Sequence, residues 1–513
     1  MENIAFQVSE LISLLLIACA VGVLVKYIRL PYTIALVLVG LFVGALKLLP
    51  EIPLTEEIIF FLILPPLLFE GALNMDVQHL RANLRPITLL AIPGVLISTI
   101  FVGFSLNYLL DIPLPVALLF GAMITPTDPV SVLATFRALG APKRLTTILE
   151  GESILNDGVA VVLFSIILEM VRSGELDILH GALNFVFVCA GGFAVGLILG
   201  YAAYKALGYI DDHQIEVAIT LILAFSSFVI AEMLHVSGVI AVVAAGLVIG
   251  NYGRYFSMSP STRVALTTFW GFFVFLVNSF VFILIGLDIH LEKIALYWEP
   301  IVLAIAVVLV SRALVVYPLL NIFSFKFEKI PLLWQHVIFW GGLHGTIPVA
   351  LALGLESEIP YRELIASMTF GVVLFSLVVQ GLSLEFFVRR SSLARKDDVR
   401  LKYEELLARS IALKAAKKEL ESMLEEGVIA PEIADKMLSD INTLLEDLTV
   451  EFDSLVKEYD EVGREMWMVA WRKVLHAQKS AIHDAVVRGL ISEEVAGKLA
   501  EEIDAELSEL MEA

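Results

Sequence analysis

Apolar residues in this chain come in long blocks, not in the short alternations or narrow stripes that suit a water-soluble fold. Thirteen blocks can be drawn along the first 390 residues, at 8–28, 30–49, 57–75, 85–110, 113–137, 147–171, 178–207, 213–234, 236–251, 261–287, 297–323, 332–354 and 362–388. A run of about 17–25 apolar residues makes one helical crossing of a hydrocarbon layer about 30 Å thick. The pattern therefore predicts an all-α polytopic membrane protein with thirteen transmembrane helices over residues 1–390. The eighth and ninth blocks are separated by little more than His235.

After Arg390 the apolar blocks give way to charged residues with helical periodicity, which predicts a water-exposed helical tail over 391–513. An internal repeat divides it: Gly427-Val-Ile-Ala-Pro-Glu-Ile-Ala-Asp-Lys436-Met matches Gly489-Leu-Ile-Ser-Glu-Glu-Val-Ala-Gly-Lys498-Leu, 62 residues later. Each glycine suits the end of one helix, and each following Ala-Pro or Ser-Glu the start of the next. Two related helical hairpins follow, over roughly 400–448 and 449–512. Such a tail regulates transport, assists dimerisation, or serves only as a solvated stabilising bundle.

Composition agrees with the blocks. Hydrophobic residues make up 58% of the chain and charged residues 18%, with mean hydropathy +0.85, far outside the range of a soluble domain of this length. The net charge of −20 is concentrated in the tail, where 16 Lys and Arg face 28 Asp and Glu. Cys19 and Cys189, the two cysteines, both lie inside apolar runs and offer neither a disulfide framework nor a metal site. Glu2 and Glu10 precede the first apolar run in place of a basic leader, so that run reads as a retained helix. No nucleotide-binding or metal-cofactor pattern occurs, and neither a cofactor nor a nucleic-acid partner is expected.

Loop charge gives the orientation. Alternating the thirteen blocks collects fourteen Lys and Arg on one side, among them Lys26, Arg85, Lys143 and Arg254, against Lys47, Arg172, Lys293 and Arg362 on the other. Basic residues are retained on the cytoplasmic side. The N-terminus is therefore predicted outside and the tail in the cytoplasm.

Polar residues inside the blocks carry the candidate chemistry. An Asp at the centre of a membrane helix costs about 2.5–3.5 kcal/mol on insertion scales, so it marks an ion or proton path unless something else explains it. In the sixth block, Ser153 and Asp157 are four apart with Asn156 between them in angle, so all three share one helix face. That face offers a hydroxyl, an amide carbonyl and a carboxylate to one ion, and a buried carboxylate there is a site for which a proton and a cation compete. In the fifth block, Thr125-Pro-Thr-Asp-Pro129 should break its helix, because proline lacks the N–H and clashes with the preceding turn. A broken helix survives at membrane depth only where it lines a cavity or is buried in protein. Thr127 and Asp128 at such a break are hard oxygen ligands suited to an alkali cation.

Arg312 is a permanent charge deep in the eleventh block and requires a carboxylate; Glu152 is the preferred partner and Asp128 the alternative. Glu70, after Pro65-Pro66 in the third block, reads as a further ligand, a proton carrier, or a glutamate touching water at the edge of a lumen. Asn278 and His344 are more commonly helix–helix hydrogen-bond partners than ligands.

Taken together, TPTDP, the later ESILNDG, the arginine within SRALVVYP and the GGLxG segment resemble the cation:proton antiporter family of the NhaP/NHE type, the sodium/proton antiporters. The resemblance covers all thirteen blocks. It implies a homodimeric antiporter built of two inverted six-helix repeats, here blocks 1–6 and 8–13, with blocks 5 and 12 as crossed, unwound helices containing Pro126, Pro129 and Pro348. It further implies that Asp157 is the exchanging carboxylate and that Thr127, Asp128 and Ser153 complete the cation site. Glu152 and Arg312 become a structural ion pair, and Glu70 an accessory group. Asn156 beside Asp157 implies electroneutral one-for-one exchange of Na+, with Li+ or K+ as alternative cations. The implied protein is a multi-pass membrane protein of the plasma membrane.

One departure stands out: Gly341-Gly-Leu-His344-Gly345 occurs where the family commonly has GGLRG. A histidine titrating near about pH 6.5 in place of a fixed charge is expected to modulate the pH profile. A gated channel would share the buried polar groups without needing a carboxylate that chooses between proton and ion. An intramembrane enzyme would need a nucleophile–base pair or a His-rich metal site, and neither is evident.

Overall fold

A computed structural model describes residues 2–28, 30–47, 58–128, 130, 132–133, 136, 141–174, 178–210, 212–326, 329–356, 358–390 and 393–458, with isolated positions after 470. No strand occurs among the described residues. The chain divides into two compact units, Met1–Ser391 and Ser392–Ala513.

The first unit begins with α1 (Glu2–Ile28), α2 (Tyr32–Ala45), α3 (Leu64–Asn74), α4 (Val77–Ala82), α5 (Leu84–Ala91), α6 (Pro93–Leu110), α7 (Leu114–Ile124) and α8 (Lys143–Ser173). It continues with α9 (Ile178–Leu207), α10 (His213–Met233), α11 (Gly238–Val248), α12 (Pro260–Asp288), α13 (Leu291–Leu296) and α14 (Trp298–Lys326). It ends with α15 (Leu332–Trp340), α16 (Thr346–Leu353), α17 (Arg362–Phe375) and α18 (Gly381–Arg390). Among the described residues, seven helical stretches are long and apolar enough to cross a membrane: Leu84–Leu110, Lys143–Ser173, Gly181–Leu207, His213–Met233, Ser261–Asp288, Trp298–Ile322 and Arg362–Val388. Shorter apolar helices occupy Ile12–Tyr27, Tyr32–Ala45, Ile58–Asn74, Leu114–Ile124 and Gly238–Arg254.

Helix boundaries follow local chemistry. Asp212 accepts hydrogen bonds from the backbone N–H groups of Gln214 and Ile215, satisfying donors at the start of α10. Ser259 caps α12 through the Thr262 N–H, with Pro260 in the first turn, where a missing N–H costs nothing. Gly174, at φ 72°, terminates α8 in the left-handed region. Pro65 and Pro66 do not break the third block: a π-helical stretch, Ile58–Ile63, leads into α3, and both prolines stand in its first turn.

Helices in a lipid medium gain little from apolar burial against one another, so close packing at small residues holds them. α2 and α12 cross at Gly40 and Gly286, where a β carbon on either would collide with the backbone of the other helix. α9 contrasts with α17–α18: 11% of its most apolar window is buried, against 67% over Arg362–Val388. Leu183, Val186, Phe187 and Ile198 are exposed on that outer helix.

In the second unit, α19 (Leu393–Glu425) and α20 (Pro431–Glu458) fold as a hairpin. Gly427 turns the chain at φ 71°, a conformation costly for residues with a β carbon. Leu406, Leu448 and Leu455 form its small core, and the rings of Tyr403 and Phe452 meet edge to face at 5.8 Å. α20 runs past residue 448 because Thr449-Val450 offers no helix stop. Most of the second hairpin expected over 449–512, including Gly489, lies outside the described residues, as does Pro129.

Candidate functional site

Two chain breaks meet in the first unit. α7 stops at Ile124, and residues 125–128 are not helical. α15 stops at Trp340, and residues 341–345 separate it from α16. Pro348 falls in the first turn of α16, where proline is tolerated, so the glycines of Gly341-Gly342-Leu343-His344-Gly345 make this break and the proline does not. A β carbon at Gly342 would press on the Arg312 guanidinium, and one at Gly345 would occupy the place of the Asp128 side chain.

Broken helices leave backbone groups without partners, and here the breaks satisfy each other. The Asp128 N–H donates to the Leu343 carbonyl at 2.7 Å, and His344 Nδ1 lies 3.2 Å from the Pro126 carbonyl. The His344 N–H donates to Ser376 Oγ at 3.1 Å, tying the second break to the π-helical stretch Ser376–Gln380 between α17 and α18. Asp128 Oδ1 accepts the Val130 N–H at 2.9 Å, capping the chain that leaves the first break. His344 is 6% exposed, and the Pro126 carbonyl requires a proton on its Nδ1 for that contact to be a hydrogen bond.

α8 supplies the third side in two strips. On one, Ser153 Oγ donates to the Thr127 carbonyl, and Asn156 Nδ2 donates to Thr127 Oγ1 at 2.9 Å; all three residues are buried. On the other, Glu150, Ile154 and Asp157 recur at four- and three-residue spacing and line a cavity. Glu152 forms an ion pair with Arg312, whose second nitrogen donates to the Ile338 carbonyl at 3.2 Å. This links α8 to α14 and to the helix entering the second break. Removing one member of such a buried pair leaves an uncompensated charge, at a cost of about 3–5 kcal/mol.

The cavity, about 370 Å³, lies between these elements and α2, α3 and α12. Its polar lining includes Asp157, Asp128, Thr127, Glu70, Glu150 and Asn278. Asp128 and Asp157 are close enough for their charges to interact. The N-terminus of α16, with its partial positive charge, follows directly from Gly345 at the Asp128 side chain. Glu70 accepts a hydrogen bond from Asn74 Nδ2 at 2.6 Å.

Sequence-predicted residues thus separate into two groups. Asp157, Asp128, Thr127 and Glu70 share the cavity, whereas Ser153 and Asn156 stand behind Thr127 and hold it, and Glu152 and Arg312 brace the helices. His344 belongs to the crossing itself. Sequence reasoning missed Glu150, Tyr32 and Thr33, which also line the cavity. The spacing of Glu150 from Asp157, two helical turns, was the signal for the first; nothing in the chain pattern pointed to the other two.

A family model described as "Sodium/hydrogen exchanger, transmembrane" matches residues 12–390. The chain is 38% identical over 495 residues to the Na(+)/H(+) antiporter NhaG of Bacillus atrophaeus, covering 94% of this chain and 93% of that protein. It is 41% identical over 388 residues to the Na(+)/H(+) antiporter ApNhaP of Aphanothece halophytica, covering 75% of this chain and 74% of that one. Among solved structures, the sodium proton antiporter MjNhaP1 of Methanocaldococcus jannaschii matches with TM-score 0.65 at 22% identity, over 76% of this chain and 99% of that chain. That likeness is one of fold.

Proposed function

Because the chain belongs to the sodium/hydrogen exchanger family, we propose that it is a secondary antiporter that exchanges Na+ for H+ at Asp157. The carrying observation is the cavity in which Asp157 and Asp128 come together at the crossing of two broken chains. One carboxylate that holds either a proton or a cation exchanges the two without passing through a doubly occupied state. Asp157 takes this role, while Asp128, Thr127 and Glu70 provide further oxygens. Ser153 and Asn156 act one step back by fixing Thr127.

Asn156 carries no charge of its own, so the site trades one proton for one monovalent cation, and exchange is electroneutral. Na+ is the principal cation in this reading, with Li+ as a smaller alternative. The thirteen apolar blocks cross the plasma membrane with the N-terminus outside and the tail inside. In that orientation Glu70 and Glu150 lie on the cytoplasmic side of Asp157, and alternating access carries the cavity between the two faces. The protein works as a homodimer in lipid, with two inverted repeats, blocks 1–6 and 8–13, forming its membrane domain.

Proteoliposomes loaded with a pH-sensitive dye test this reading. Addition of Na+ is expected to drive proton movement that persists when the membrane potential is collapsed with valinomycin and K+. Cation current without proton coupling would favour a channel and overturn the proposal.

A further inference from the structure

Asn278 lines the cavity as an uncharged polar residue. It lies on α12, which packs against α2 and α3 and with them forms the wall that carries neither Asp128 nor Asp157. Gly271, Val274, Phe275 and Asn278 recur along α12 at helical spacing and line the cavity as one strip. The neighbouring Ser279 fixes this register. Its Oγ donates to the Phe275 carbonyl at 2.5 Å and lies 2.8 Å from the Tyr32 hydroxyl, while the Tyr32 ring stacks on Phe275 with centroids 5.3 Å apart.

Asn278 is 8% exposed, yet among the described residues its amide has no hydrogen-bond partner. The ordinary use of a membrane asparagine, a bond to a neighbouring helix, is therefore not its use here. The amide opens onto the cavity, so a partner for it comes from what the cavity holds and not from a neighbouring helix. Space for one is at hand, because Asn278 itself lines the cavity.

We infer that Asn278 supplies a neutral oxygen ligand to the transported cation from the wall facing Asp128 and Asp157. This rests on the antiporter reading and extends it from the wall of Asp128 and Asp157 to the facing one. An amide oxygen adds affinity for a small hard cation without adding a charge. It does not compete for the proton, so it sets cation affinity and preference and leaves the exchange ratio to Asp157. It also gives the cation a ligand on α12, which the helix breaks do not reach.

Exchange kinetics in proteoliposomes test the inference with Asn278→Leu, which keeps the bulk and removes the oxygen, and Asn278→Asp, which keeps both shape and oxygen. Asn278→Leu is expected to raise the KM for Na+ roughly tenfold. Its maximal rate should stay within about twofold and its Li+ to Na+ preference should change. Asn278→Asp should keep the low KM. If the leucine variant does not insert stably, Asn278→Ala is read in the same way. An unchanged KM and cation preference in a folded leucine or alanine variant would overturn the inference while leaving the antiporter reading intact. Absence of exchange in the unmodified protein would instead overturn that reading.

Discussion

The two walls of the cavity are built on different principles. On the side of α7, α8 and α16, carbonyls and N–H groups freed by the breaks are met by Ser153, Leu343 and His344, and the Thr127 hydroxyl by Asn156. On the side of α2, α3 and α12, unbroken helices present mainly Val274, Phe275, Leu67 and Leu68, with Tyr32, Glu70 and Asn278 among them. Charge and unusual backbone are thus concentrated where hydrogen bonds can hold them, and the facing wall is largely smooth. The contrast explains why a carboxylate at membrane depth is tolerable: the same network that positions Asp128 removes the backbone penalty of the break that carries it.

The sharpest way to break this contrast is to remove the charge proposed to exchange. Asp157→Asn preserves shape and should abolish Na+-driven proton movement, a loss of at least about a hundredfold. Retained exchange in the dye assay would remove Asp157 from its role. Next in size is the brace behind the wall. Arg312→Ala leaves Glu152 buried and unpaired and should destabilise the protein by about 3–5 kcal/mol, read as a lowered unfolding temperature in detergent. A variant as stable as the parent would mean that the pair does not brace α8.

Gly345→Ala tests the crossing itself. The added methyl group competes with the Asp128 side chain for space, and overpacking of this kind costs about 1–3 kcal/mol. Exchange should fall more than stability, because the displaced group is a proposed ligand; equal activity with normal Na+ affinity would contradict the close approach. The smallest expected effect is at His344. His344→Arg puts a permanent charge beside the Pro126 carbonyl, within reach of the Arg312 charge, and should move the pH optimum of exchange by on the order of one unit. An unchanged rate and optimum would show that the histidine only packs.

Much of this charged wall was legible in the chain, and little of the smooth one. Long apolar blocks announce membrane helices, and Thr125-Pro-Thr-Asp-Pro129 announces a break, because proline chemistry is local. The second break was harder to place. Pro348 drew attention, yet it sits harmlessly in a first helical turn, while the interruption falls on Gly341 to Gly345, whose conformation depends on Arg312 and Asp128 from distant segments. The shared face of Ser153, Asn156 and Asp157 was visible as spacing, but spacing does not say which neighbour a face meets. Ser153 and Asn156 turned out to grip Thr127, and Glu150 joined Asp157 at the cavity. Asn278 read as a helix–helix partner for the same reason: a sequence names the donor and acceptor groups, whereas packing decides which of them are left without a partner.

The account's central claim is that proton and cation occupy Asp157 in turn, and proton release on cation binding tests it most directly. Purified protein in weakly buffered detergent solution is titrated with NaCl while released protons are measured. Close to one proton per Na+ bound is expected for the unmodified protein, and none for Asp157→Asn. Equal release from both proteins would contradict the claim.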